Sequence, residues 1–319
     1  MAATAVHTEG VAKRVTSTAF IGREAELAEL RSALAEAAAG KPSLTFLAGE
    51  SGVGKTRLLS EFDRAARSDG ARVIGGDSVE LGEGELPYAP IVGALRPLVR
   101  DGDPVLDELS DAARAELATL LPDLGPARPA DDDEPGASQR RLFEALLGLL
   151  NRLGQDAPVI FSLEDIHWAD RSTRAFVAFL GGSLCAERVM AVATYRSDAL
   201  HRRHPLRPLL AELERDANAR RIELAPLGRE ELAVLVENIT GEPPADAAVD
   251  RVLGRSEGNP LFAEELLAAD PGGLGALPPT LRDALMVRIE SLRDLQVSLA
   301  PHPKETTRPG PLPALAHRI

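Results

Sequence analysis

The stretch from Ser43 to Arg57, SLTFLAGESGVGKTR, restricts what this chain can fold into more than any other. A short apolar run (Leu44, Phe46, Leu47) leads into Gly49-Glu50-Ser51-Gly52-Val53-Gly54-Lys55-Thr56, and a helical pattern follows. The spacing is GxxxxGK(S/T) between a strand and a helix, the arrangement of a phosphate-binding loop. Gly49, Gly52 and Gly54 allow a tight turn whose successive N–H groups converge on an anion. Lys55 brings a point charge for the β- and γ-phosphates, and the Thr56 hydroxyl is a ligand for Mg²⁺. The helix that starts there turns its positive end toward the same anion. A glycine turn with a chance Lys-Thr is the alternative, but it leaves both flanks unexplained. The expected ligand is a nucleoside triphosphate.

Around this loop there is material for a substantial α/β domain. The chain has 319 residues, 44% of them hydrophobic and 27% charged, which suits a packed interior rather than disorder. Aromatics are only 3%, so the core rests on Leu, Val and Ala. A net charge of -13 argues against a generally basic, nucleic-acid-binding surface. The single cysteine, Cys185, excludes an internal disulfide and a Cys-rich zinc site; it reads as a small buried residue in a reducing, cytoplasmic protein. No run approaches the roughly 18 apolar residues that span a bilayer, and the first residues lack the apolar core of a secretory signal.

Strand-like and helix-like segments alternate. Residues 1–19 read as a loose polar arm, and a helix with Leu27, Leu30 and Leu34 on one face follows Phe20-Ile21-Gly22-Arg23. Strands are expected at 43–48, 71–75, 158–163 and 189–194, with a weaker one at 221–224. Helices are expected after the glycine loop, from Ser138, and over about 171–180. Residues 82–136 read as an insertion of loops and short helices, with Asp131-Asp132-Asp133-Glu134 a solvated loop. Alternation of this kind implies right-handed crossovers and a parallel sheet with helices on both faces, ligands binding beyond the strands' carboxyl ends. Past Pro226 the pattern is helices only, at 228–239, 244–254, 260–269 and 278–292. The division is therefore a core over 20–226, a small helical lid over 227–292 and a proline-rich tail over 293–319.

The strand 158–163 runs straight into Glu164-Asp165. An apolar strand ending in acids beside a phosphate loop is the expected second half of a nucleotide site. Glu164 is assigned to the Mg²⁺ side and Asp165 to polarising the attacking water; the alternative is that either acid caps the next helix. Asp170 is read as such a cap. His167 and Trp168 are read as packing at the sheet edge rather than as a metal ligand and a stacking platform. At the end of the next strand Arg196 is placed to report a γ-phosphate, or else is an ordinary surface arginine. His201 and His204 have HxxH spacing but no third ligand.

With these residues assembled, the sequence resembles the ATPase module of the STAND class of AAA-related proteins. More narrowly, it resembles the N-terminal half of large LuxR-type bacterial transcription regulators. The matching stretches are FIGREAEL (20–27), GESGVGKT (49–56), GEGELPYAP (82–90), FSLEDIHWAD (161–170), ATYRSD (193–198), HPLRPLLAELER (204–215), RSEGNPLFAEELL (255–267) and LPPTLRDALMVRIESL (277–292). The resemblance implies that Ile21, Gly22 and Arg23 lie against adenine and ribose, and that Pro260 of Gly258-Asn259-Pro260 approaches the adenine from the lid. Phosphates fall to Gly49, Gly52, Val53, Gly54, Lys55 and Thr56, with Mg²⁺ on Thr56 and Glu164. It implies ATP as the ligand, slow hydrolysis, and a switch that works through self-assembly or protein partners. The Glu-Asp pair departs from the family's commoner Asp-Asp or Asp-Glu. The family's winged helix, repeat sensor and helix-turn-helix have no counterpart after residue 292. The expectation is therefore a truncated or free-standing module without direct DNA binding. A nucleotide-binding module without turnover and a small-molecule phosphotransferase, with the 201–221 arginines as its lid, are the other readings.

Overall fold

In a computed structural model, residues 17, 19–79, 86–128, 136–215 and 218–269 are described. Five strands, β1 (Ser43–Gly49), β2 (Arg72–Asp77), β3 (Val159–Glu164), β4 (Val189–Arg196) and β5 (Ala219–Leu224), form one sheet in the order β2-β3-β4-β1-β5. Every pairing is parallel. Each expected strand is present, and its observed limits differ from the expected ones by at most about two residues. The apolar runs are strands because they are buried on both faces: all seven residues of β1 are buried, as are the first seven of β4.

Alternation within β1 sorts the core into two layers. Phe46 joins a cluster with Phe161, Ala191 and Tyr195 on one face of the sheet. Its neighbour Leu47 joins Ile160, Val192 and Ile222 on the other. The first layer is closed by α3 (Ala89–Arg100), α4 (Asp111–Leu117), α5 (Ala137–Asp156), α6 (Arg171–Ser183) and α7 (Leu206–Leu213). The second is closed by α1 (Glu24–Ala38) and α2 (Lys55–Ser68). Few aromatics serve this core, and four of them pack together beneath the sheet: Phe161 meets Phe176 edge-to-face, Phe143 is tilted against Phe176 and Phe179, and Phe176 stacks on Phe179.

Three further helices, α8 (Arg229–Thr240), α9 (Asp246–Ser256) and α10 (Pro260–Ala269), build a separate small core from Leu232, Leu235, Val236, Val252, Ala263 and Leu267, against which Ile21 packs. The expected helix at 278–292, the tail and the acidic run 131–134 lie outside the described residues. Among the described residues no helix is long and apolar enough to cross a membrane.

Three expectations change. Ser17 is buried and its N–H donates to Glu264 Oε1 at 3.1 Å, while Arg57 donates to the Ala19 carbonyl at 2.8 Å; the end of the expected loose arm is built into the fold. Cys185 is exposed, because it follows the last turn of α6 at the amino end of β4 rather than entering either core layer. Trp168 is exposed too, whereas its neighbour His167 is the ring that is buried.

The β2–α3 contact is backbone on backbone. A Cβ at Gly76 would lie 1.9 Å from the Pro90 carbonyl oxygen. Gly76→Ala must push α3 off the sheet, and overpacking of this kind costs about 1–3 kcal/mol. The expected result is a lower urea midpoint at unchanged slope; an unchanged midpoint would show that the two elements separate freely.

Candidate functional site

The parallel register gathers the chemistry at one end of the sheet. Gly49 is paired with Arg196 on one side and with Leu224 on the other. Glu164 pairs with Asp77 at the end of β3. The loop after β1 therefore opens beside the ends of β3, β4 and β5, where the sequence reading puts a ligand. Gly54 caps α2 with φ of 105°, and no heavy atom lies within 4 Å of where its Cβ would stand. That open side is a cradle at the positive end of a fourteen-residue helix.

Lys55 is buried, and its Nζ donates to the Gly49 and Glu50 carbonyls at 2.9 and 2.8 Å. Burial lowers its pKa, against the opposing pull of Asp165 and Asp198. The Thr56 hydroxyl donates to Glu164 Oε2 at 2.8 Å. Burial raises the Glu164 carboxyl above its usual range, with Asp77, Asp165 and Asp63 adding repulsion and the Thr56 bond opposing. Hydroxyl and carboxylate oxygens set side by side are the hard donors that Mg²⁺ takes, so Thr56 and Glu164 fit the ion assigned to them.

Asp165 sits in the left-handed region, φ 51°, with its N–H donated to the buried Thr194 hydroxyl at 2.9 Å. Its carboxylate lies 4.0 Å from Arg196 Nε and 3.7 Å from His167 Nδ1, both longer than a hydrogen bond. Burial pushes the His167 imidazole down to about 3, helped by Arg196 and Lys55, so the ring is neutral; neither nitrogen has a hydrogen-bond partner. Asp170 is the cap the sequence suggested: Oδ1 accepts from Ser172 and Thr173 N–H, and Oδ2 accepts from Tyr88 N–H. His201 and His204 each accept a backbone N–H through Nδ1, and among the described residues no group of three His, Cys, Asp or Glu could hold a metal.

A cleft adjoins the loop, lined by Phe20, Ile21, Arg23, Val53, Gly54 and Arg57 from the core and by Leu235, Pro260 and Glu264 from the helical lid. Its mix of apolar walls with a few polar groups suits a nucleoside. Ile21, Arg23 and Pro260 thus come together on one space. Gly22 is not among the residues that line it; a Cβ there would meet Glu231 Oε1 of α8 at 2.3 Å. Arg23, φ 70°, spends its guanidinium on the Val53 and Ala225 carbonyls (3.3 and 2.5 Å) and on Glu26, so it braces the loop as well as lining the cleft.

The sequence reading missed how the lid holds the loop. Asn259 Nδ2 donates to the Ser51 carbonyl at 2.8 Å, Leu261 N–H approaches the Gly52 carbonyl at 3.4 Å, and Asn259 Oδ1 caps α10 through Leu261 N–H. Gly52 has φ of 77°, and a Cβ there would lie 2.8 Å from Leu261 Cβ and 2.9 Å from Asn259 Oδ1. The only advance signal was the Gly-Asn-Pro turn itself, since Asn is a favoured cap.

Two outcomes follow from this geometry. Gly52→Ala adds left-handed strain of about 1–2 kcal/mol to the clash with α10, so amide exchange in α10 should quicken by about tenfold or more while the sheet stays protected. Equal protection of α10 in variant and parent would show that the contact carries nothing. Asp63, on α2, has its carboxyl raised by burial from 3.8 to about 6, and its Oδ1 lacks a partner. A raised native pKa stabilises below pH 3.8 and loses that stability as pH rises through about 6. Asp63→Asn should therefore melt above the parent at pH 7, the gap closing toward pH 4; a constant gap would contradict this.

Comparison with known proteins agrees with the geometry. The chain is 27% identical over 271 residues to an uncharacterized protein of Rhizobium meliloti (strain 1021); the match takes in 77% of this chain and 24% of that protein, so the chain spans about a quarter of its relative's length. A Walker-type ATPase of Pyrococcus abyssi superposes with a TM-score of 0.53 at 15% identity, over 91% of this chain and 79% of that one. A STAND protein with a tetratricopeptide-repeat sensor from Pyrococcus horikoshii gives a TM-score of 0.47 at 13% identity, over 88% and 34%. The model of the AAA ATPase domain family matches residues 19–192, more than half of the chain. The glycine loop after β1, an acid pair at the end of β3 and this match coincide, and the chain belongs to the AAA ATPase domain family.

Proposed function

We infer that this chain is an ATP-binding signalling switch of the STAND kind with slow ATP hydrolysis, and that it works as a module of a larger bacterial transcription regulator in the cytoplasm. One observation carries the reading: the phosphate loop and the lid grip each other through Ser51, Gly52 and Asn259, on the rim of the cleft that Pro260 helps to line. A lid bonded to the loop that holds phosphate can be moved by what that loop holds. The match to 24% of a much longer relative supports the place in a larger protein.

The roles follow from position. The cleft takes adenine and ribose against Ile21 and Pro260, and the loop N–H groups with Lys55 take the phosphates. Mg²⁺, when held by Thr56 and Glu164, supplies positive charge against the phosphate oxygens. Asp165, fixed through its N–H by Thr194, orients and polarises the water, and Arg196 offers its charge to the terminal phosphate. Lys55 and Thr56 are both engaged within the protein, so gripping phosphate exchanges bonds already made. That exchange favours slow turnover, and it also supports the second reading, binding with no turnover at all. Partners are expected to be protein, by self-assembly or through a neighbouring module, and not duplex DNA, given the charge of -13.

The test is phosphate release and ATP binding by the purified chain with Mg²⁺. The parent should bind ATP and release phosphate slowly, and Lys55→Ala should lose both by about a hundredfold, the scale of a lost charged contact at a transferring phosphate. Turnover by Lys55→Ala at the parent rate would remove the assignment. Binding without phosphate release by the parent would select the second reading.

A further inference from the structure

Asp198 stands two residues beyond Arg196, past the carboxyl end of β4. Its Oδ1 accepts the Ser51 N–H at 3.2 Å. Its charge is also felt at Lys55, whose Nζ already gives two hydrogen bonds to the Gly49 and Glu50 carbonyls. An N–H at the crown of a phosphate loop is thus satisfied by an anionic oxygen of the chain itself. A carboxylate oxygen and a phosphate oxygen are both anionic acceptors, and one N–H cannot serve both well. Held side by side, they repel.

The location identifies which phosphate is affected. Asp198 follows Arg196 by two residues past the carboxyl end of β4, the strand end whose Arg196 Nε is 4.0 Å from Asp165. Under the nucleotide reading above, on which this inference rests, that is the side of the terminal phosphate. Asp198 is exposed, so it can turn out into water without breaking a core contact.

We propose that Asp198 sets the preference between nucleoside triphosphate and diphosphate by competing with the terminal phosphate for the Ser51 N–H and for the charge of Lys55. A diphosphate leaves the Asp198–Ser51 bond in place. A triphosphate has to displace it. The same residue carries the lid contact on its other side, since the Ser51 carbonyl accepts from Asn259. A change at the Ser51 N–H therefore reaches the lid across a single residue.

The experiment is calorimetric titration of the parent, Asp198→Asn and Asp198→Ala with ADP and with a β,γ-imido analogue of ATP, at low and moderate salt. Asparagine keeps an acceptor for Ser51 and removes the charge; alanine removes both. Both variants should bind the triphosphate analogue about fivefold tighter than the parent, the effect expected of one exposed charge against a polyanion, and less so as salt rises. ADP affinity should change less than about twofold, because an exposed charge is screened over the longer distance. Triphosphate affinity that is unchanged or weaker in both variants overturns the proposal while leaving nucleotide binding intact. A parent that binds neither nucleotide removes the nucleotide reading and this inference with it. Equal tightening for both nucleotides also overturns it, since the competition would then not concern the terminal phosphate.

Discussion

The whole arrangement hangs on β1 being hydrogen-bonded along both edges. A strand with β4 on one side and β5 on the other, buried over its full length, cannot shift or fray without opening both core layers. Its last residue, Gly49, is therefore fixed in space, and so is the start of the loop that follows. The neighbouring strand supplies Thr194 and Arg196 at the same height, and the next supplies Glu164 and Asp165. The geometry of the candidate site is a by-product of sheet register. A slip by one residue in β4 would turn Thr194 and Arg196 to the opposite face, away from the loop.

The second dependence is between the core and the lid. Strands and crossover helices build the two layers of the core, and α8 and α10 close the cleft beside the loop from the far side. Ile21 shows how closely the two parts are joined: it precedes the first helix of the core, yet its side chain packs on the lid's own small cluster. Arg23 works from the same segment, bonding the phosphate loop at Val53 and the chain's exit from the sheet at Ala225. The segment 19–23 is thus a hinge plate fastened to both leaves.

Much of this was legible in the sequence, for identifiable reasons. Strands β1, β3 and β4 are mostly apolar runs because both faces of a parallel sheet are covered, and their few hydroxyl residues do not set up a polar alternation that would blur their ends. The phosphate loop and Glu164-Asp165 could be read because each needs particular residue types at fixed offsets from a strand. What escaped was long in sequence and short in space. Ser51 meets Asp198 and Asn259 across 147 and 208 residues, through a backbone N–H and a backbone C=O that every residue but proline owns. No side-chain pattern announces such a bond. Residue type alone points inward at Cys185 and Trp168, whereas both stand on the surface, where single apolar residues are ordinary.

The place of Trp168 has a use of its own. It is the chain's one tryptophan, it is 39% exposed, and it follows Asp165 by three residues at the carboxyl end of β3. Its ring centroid lies 4.9 Å from that of the buried His167. Light absorbed at the red edge of the protein spectrum is taken up by this indole alone, since the two tyrosines absorb further to the blue. The emission therefore comes from a single address beside the acid pair. Without any dye or tag, the molecule carries a lamp beside the end of its own sheet, and the colour and brightness of that lamp record how wet and how crowded that place is.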